Sequence, residues 1–289
     1  MKRSFLLAAI VMFLVSTVVR GDVDSRFQYI FGGHDRRIRN MKAETLFDSR
    51  LQIDLAKAAQ RGDAKKIAQL VSNGADVNQT GRYGMRPLFW AIINKNINGT
   101  RTLLEHGADP NAMVDVSALR LRWMTTDPNR LQKNEKLIRT DIRPFGAHDP
   151  RVANALSLAA LIDNPIFIEE LIKHGADPNA VIPHFGETPI FQAVEANYFK
   201  NVSVLHAHGA AIDWQDLWGN TVFDLAVGRT DSKMALSLYK LGANPRIRDN
   251  TGFNALEVIK RMEQNGGPPW NKKDFKKLLL ELRKDGMLE

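Results

Sequence analysis

The chain has 289 residues, 44% of them hydrophobic and 25% charged, and no cysteine. It is long enough for an extended array or two ordinary domains with a sizeable core, while disulfides and thiolate metal sites are excluded. Its formal charge of +8 is mild, and its lysines and arginines are interleaved with acids, as in NKKDFKKLLLELRKD near the C-terminus; this is a solvated basic surface and lacks the dense one-sided stripe of a nucleic-acid binder.

The chain begins with Lys2 and Arg3, followed by an apolar run from Phe5 to Val19. That run falls short of the roughly 20 residues needed to span a bilayer. Val19, Arg20 and Gly21 then offer a cleavage site, imperfect because Arg20 lies inside it. The pattern predicts a secretory signal peptide over 1–21 and export to the periplasm, with an uncleaved inner-membrane anchor facing the periplasm as the alternative. Residues 22–45 form an N-terminal extension.

From residue 46 the chain is punctuated. Gly-Ala pairs recur at Gly74-Ala75, Gly107-Ala108, Gly175-Ala176, Gly209-Ala210 and Gly242-Ala243, so successive glycines lie 33, 68, 34 and 33 residues apart. A period near 33 demands a repeat architecture. The heptamer HGADPNA closes two of the units, as His106–Ala112 and His174–Ala180.

The first unit, within 46–80, carries LAKAAQRGDAKKIAQLVSNGADVN. In the second, Pro87 sits just inside the helix PLFWAI, where its missing N–H costs nothing, and a second helix, RTLLEHG, follows a turn. The third opens with ALSLAAL behind Asn154, the fourth with PIFQAV behind Thr188, and the fifth behind Thr221. Asn154, Thr188, Thr221 and Asn254 are residue types whose side chains satisfy the free N–H groups of a first helical turn. Each Gly-Ala glycine suits a left-handed helix C-cap. ADPN or ADVN then starts an extended finger, whose tight turn is predicted at Gly84, Gly186, Gly219 and Gly252. The last unit, 253–289, reads GFNALEVIKRM, a break at NGGPPW, and the amphipathic DFKKLLLELRK. One such unit cannot bury both of its helix faces alone, so the units must stack.

The stretches GMRPLFWA…HGADPN, GETPIFQA…HGAAID and, more weakly, GNTVFDLA…LGANPR resemble the ankyrin repeat. The resemblance covers 46–289 and makes 253–289 a C-terminal capping repeat. It implies an all-α solenoid of helix-turn-helix repeats with β-hairpin-like fingers, which recognises other proteins and performs no chemistry. The chain departs from the family in one respect: the histidine of the family's TPLH is replaced by Phe89, Ser157, Phe191 and Asp224, which loosens the expected hydrogen bonding between repeats.

The 68-residue interval holds about 35 residues more than one period, over 113–152. Either a long insertion in the finger or a decayed repeat would account for them. The insertion is favoured because Gly146-Ala147 stands only 9 residues before the helix start at Ala155. Long insertions in compact arrays carry function or disorder, and this one contains Trp123.

No residue pattern points to catalysis, a cofactor or a metal. His106, His174 and His208 each precede a repeat glycine and read as helix-end residues. His206 and His208 lack further ligands at metal spacing. The informative residues are aromatic. Tyr83, Phe185 and Trp218 each precede a finger glycine, Trp214 adds a ring to one finger, and Trp90 occupies the variable position of an inner helix. Together with Trp123 these are the candidate partner-binding residues. They form either a ladder packed between fingers or an open platform for a protein partner. Compartment and fold class together suggest an immunity protein that neutralises a secreted antibacterial toxin such as a phospholipase, with the insertion plugging the toxin's active site. The alternatives are a periplasmic adaptor or chaperone-like partner of an enzyme, and a host-directed effector.

Overall fold

In a computed structural model of the chain, the described residues are 42–115, 152–183, 185–268 and 271–289. The expected signal segment 1–21, nearly all of the extension 22–45 and the body of the insertion, with Trp123, lie outside them.

A short helix α1 (Ala43–Leu46) precedes a series of antiparallel helix pairs. These are α2 (Arg50–Arg61) with α3 (Ala64–Ser72), α4 (Pro87–Ile93) with α5 (Ile97–Glu105), and α6 (Ala155–Ala160) with α7 (Ile166–Lys173). The series continues with α8 (Pro189–Glu195) and α9 (Phe199–Ala207), α10 (Val222–Gly228) and α11 (Ser232–Lys240), and finally α12 (Ala255–Gln264) and α13 (Lys272–Lys284). The pairs are numbered below as repeats one to six.

The helix starts are written in the sequence. The side chains of Ser49, Asp63, Asn96 and Asp231 each accept a backbone N–H of the first turn, as do Asn154 and Asn254. Thr221 and Asp224 complete a reciprocal capping box on α10. Thr188 behaves differently. It makes no side-chain cap, and its buried Oγ1 has no partner among the described residues, so Pro189 alone sets the start of α8. In repeats one, two, four and five the inner helix turns into its outer helix through one left-handed residue: Gly62 in repeat one, then Lys95, Asn197 and Thr230, with φ near 56–58°.

Inner helices stack on inner helices and outer on outer along the array. Repeat two packs directly on repeat three: α4 lies against α6 and α5 against α7. The finger between them carries a two-stranded antiparallel sheet, in which Met113, Val114 and Asp115 (β1) pair with Asn154, Ala153 and Val152 (β2). The next finger makes the equivalent closure through the Ile182–Glu187 bridge, with only four residues between.

The heptamer HGADPNA explains how neighbours are joined. Its glycines, Gly107 and Gly175, adopt φ of 85° and 90° at the helix ends, where a side chain would be strained. Its aspartates, Asp109 and Asp177, accept the backbone N–H of Asn111 and Asn179 within the turn. Those asparagines reach the next repeat. Asn111 donates to the Gly175 carbonyl (2.8 Å) and accepts from the Asp177 amide (2.9 Å). Asn78 does the same to Gly107 and Asp109, and Asn179 to Gly209 and Ala211. In the fourth repeat the ladder residue is Asp213, which accepts the Asn244 amide but has no N–H to donate.

The core is one continuous apolar cluster from Ala43 to Leu288. At its C-terminal end α13 packs on α11 and buries Phe275, Leu278 and Leu282, while Arg283 grips both carboxylate oxygens of Glu263. Among the described residues no helix is long and apolar enough to cross a membrane.

Candidate partner-binding surface

The candidate aromatics fall into three settings. Trp90, expected on the open variable face, is fully buried in α4; it is core and offers no exposed ring. The helix PLFWAII is apolar at every position and buried at every position, so the register alone could not reveal which of its residues stayed inside. Tyr83 lies in a short 3-10 turn, Arg82–Gly84, anchored to the N-terminal segment by an Arg82–Asp48 ion pair. Trp123 lies outside the described residues.

Phe185, Trp214 and Trp218 come together on the fingers of repeats three to five. The Phe185 and Trp218 rings stand 6.0 Å apart and tilted by 38°, within the range of a favourable aromatic pair. Trp214 donates its indole N–H to the Gly186 carbonyl (2.7 Å), and the Leu217 amide donates to the Phe185 carbonyl (3.0 Å). The next finger repeats the device: the Asn250 amide donates to the Trp218 carbonyl (3.0 Å), and its side-chain amide to Leu217 (2.9 Å). A side chain at Gly186 would strike Leu217, and one at Gly219 would strike Asn250, which is why glycine stands at both turns.

The fingertips are held from within by aspartates. Asp216 accepts the Trp218 and Asn220 amides, and Asp249 accepts those of Thr251 and Phe253. With the backbone so fixed, the large side chains point outward. Leu217 is 59% exposed, Phe253 50%, Trp218 46% and Trp214 36%. The Trp214 indole thus bonds the neighbouring finger and the Trp218 ring meets that of Phe185, while both tryptophans keep part of their surface in solvent.

Leu217 and Phe253 were not among the sequence candidates. Both sit next to a fingertip feature, Leu217 before Trp218 and Phe253 after Gly252, and an apolar residue in a turn is the signal that could have found them.

The charged groups nearby are structural. Burial raises the Asp224 carboxyl above its ordinary range; hydrogen bonds from Thr221 oppose this, while Asp249 and Asp216 add to it. Between repeats two and three, Arg101 binds Glu170 (2.8 Å) and holds that carboxyl below its ordinary value despite burial. Tyr239 of α11 donates to Asp285 (2.7 Å), and burial with that contact pushes its phenol up to about 12. His106, His174 and His208 occupy helix C-cap positions. Among the described residues no group of three or more histidines and carboxylates could hold a metal ion.

A family model for ankyrin repeats in three copies matches residues 32–114 and 156–249, pausing between the two β-strands' ends and resuming at α6. An ankyrin repeat protein of Rickettsia bellii is 30% identical over 205 residues, covering 70% of this chain and 71% of its own length. A second from the same organism is 28% identical over 67% of this chain, and a mitochondrial disaggregase of Bos taurus is 31% identical over 50% of it. This chain spans only 27% and 22% of the lengths of those two relatives. The matched residues, the stacked helix pairs and the asparagine ladder agree: the chain belongs to the ankyrin-repeat family.

Proposed function

We propose that this protein is a non-catalytic recognition array that binds a folded protein through the finger rim of repeats three to six. Ankyrin repeats are protein-interaction units, and the observation that carries the reading here is the exposed apolar row Trp214, Leu217, Trp218 and Phe253. Large apolar side chains on backbone fixed by internal hydrogen bonds bind with little ordering cost, the usual property of interface anchors. The partner class we propose is a secreted antibacterial toxin, such as a phospholipase, which this protein neutralises in the periplasm. That reading is supported by the signal-like start of the chain and by a fold suited to binding.

The test is capture of the partner by the mature chain from the exporting cell, compared with the Leu217→Ala/Trp218→Ala variant. Loss of about 2 kcal/mol or more in affinity is the expected result, with the melting temperature lowered only by the small loss of the Phe185–Trp218 pair. Equal affinity of the variant would sink the rim as the binding site. Recovery of the protein from cytoplasm with residues 1–21 intact would sink the periplasmic assignment, and failure to protect cells producing the toxin would sink the immunity role.

A further inference from the structure

Along the sequence, the lysines near the C-terminus alternate with acids; in α13 the helix sorts them. Lys273, Lys277, Leu280 and Lys284 are spaced by four, three and four residues, with Lys276 beside them. At about 3.6 residues per turn these five share one face, and all five are exposed. Phe275, Leu278, Leu279 and Leu282, on the opposite face, are buried. The acids Asp274, Glu281 and Asp285 fall together on one flank, spaced by seven and four residues. Two of them are engaged: Asp274 pairs with Lys277 (3.1 Å), and Asp285 accepts the Tyr239 phenol (2.7 Å). Lys273, Lys276 and Lys284 have no ion-pair partner among the described residues. Leu280, at the centre of the lysines, is 66% exposed, the most of any large hydrophobic side chain among the described residues. A terminal capping repeat needs a polar outer face, and solubility alone gives no reason for a leucine there.

We propose that this stripe is a docking face for a membrane surface rich in anionic phospholipid. The lysines meet headgroup phosphates and Leu280 enters the boundary with the acyl chains. Charge complementarity and residue type favour lipid over protein or nucleic acid. The four cations are all lysines, whose flexible stems lie along an apolar boundary while the ammonium stays at the polar level. Protein interfaces are instead depleted of lysine and enriched in arginine, and base edges are read best by the arginine fork. The one arginine of α13, Arg283, is turned to Glu263. From Lys273 to Lys284 the helix rises about 16 Å, so the stripe can lie along a surface. Each lysine brought to an anionic surface strengthens binding about five-fold. Four of them with one leucine give reversible attachment and no insertion. The stripe belongs to an outer helix, packed on α11, whereas the aromatic rim stands on fingers that lead into inner helices. The two faces are distinct, and attachment through α13 leaves the rim free for a protein.

The test mixes the full chain with vesicles of phosphatidylcholine containing phosphatidylglycerol, and with vesicles of phosphatidylcholine alone. The variant Lys273→Gln/Lys276→Gln/Lys284→Gln removes three unpaired charges from exposed sites, so its melting temperature should be unchanged. Its affinity for the anionic vesicles is expected to fall on the order of 100-fold, and added salt should weaken the parent chain more than the variant. Equal affinity of the two chains for those vesicles would overturn the proposal. A second measurement looks at the stripe itself, independently of any lipid contact made by the apolar run Phe5 to Val19. Because the chain has no cysteine, a polarity-sensitive dye on Leu280→Cys reports that position alone. Its emission should shift to the blue with the anionic vesicles and stay unchanged with phosphatidylcholine. No shift at 280, or an equal shift with phosphatidylcholine, refutes the proposal. A larger shift from the same dye on Leu217→Cys would put the rim on the lipid and refute it as well. A response at 280 to poly-glutamate or duplex DNA but not to the vesicles would assign the stripe to an acidic protein or a nucleic acid instead.

Discussion

Repeats two to four and repeats five to six are built from the same unit and turn different faces to solvent. In the first group every residue of the inner helices α4, α6 and α8 is buried, including Trp90, Leu158 and Gln192. In the second group the inner helices keep Leu225, Gly228 and Arg261 at least partly open, and the fingertips present Trp218 and Phe253. The features that join neighbours are shared by both: left-handed glycines end the outer helices, and an aspartate or asparagine links each finger to the next. Stacking therefore fixes how repeats meet, while the exposure of the variable positions differs from repeat to repeat.

The sharpest way to break that contrast is to remove Trp90. A surface anchor could be truncated with little loss of stability, but a fully buried tryptophan leaves a cavity in a close-packed core. Trp90→Ala is expected to destabilise by about 4 kcal/mol, read as a large fall in melting temperature. An unchanged transition would return Trp90 to the surface. The next effect concerns close packing between repeats one and two. A Cβ on Gly99 would sit 1.9 Å from the Ala59 carbonyl oxygen, which the backbone must move to relieve. Gly99→Ala should destabilise by about 2–3 kcal/mol. A neutral result in chemical denaturation would mean that α2 and α5 do not approach so closely.

The asparagine ladder offers a test that compares regions within the array. Asn111→Ala removes one donation and one acceptance between repeats two and three, an expected loss of about 1–2 kcal/mol. At the equivalent rung between repeats four and five, Asp213 lacks the donor. Asp213→Asn supplies it, and about 0.5–1 kcal/mol of added stability should follow. Should both substitutions prove neutral in urea unfolding, the rungs are ornament to apolar stacking.

Much of this was legible in the sequence. The glycine spacing located the outer helix ends, and Asn154, Thr221 and Asn254 marked true caps because capping is a local interaction between residues three apart. What remained hidden was non-local. HGADPNA looked like turn punctuation, but Asn111 bonds a glycine 64 residues later, a link that only stacking creates. Trp90 failed as a surface residue because PLFWAII is apolar at every position, so its helical register marks no exposed face. A third link is equally non-local: Asn201 is buried and donates to the carbonyls of Ala160 and Ile162, stitching α9 to the end of α6.

The smallest effects set a carboxylate of the first group of repeats against one of the second. Glu170, paired with Arg101, has its folded pKa lowered. It contributes stability above the ordinary carboxylate range, and loses it as pH falls through the lowered folded value. Glu170→Gln should thus cost up to about 1 kcal/mol at neutral pH, with the deficit shrinking to nothing in acid. Asp224 has its folded pKa raised, chiefly by burial. Its protonated form suits the fold, so stability is full below the ordinary aspartate value and is lost as pH rises through the raised one. Asp224→Asn removes that penalty while keeping an acceptor for Thr221, so its gain should grow as pH rises and vanish in acid. The two stability differences, measured by denaturation from pH 3 to 7, are expected to diverge with opposite sign as pH rises. Parallel curves would mean that burial does not dominate at Asp224, and that its capping hydrogen bonds to Thr221 govern its charge as Arg101 governs that of Glu170.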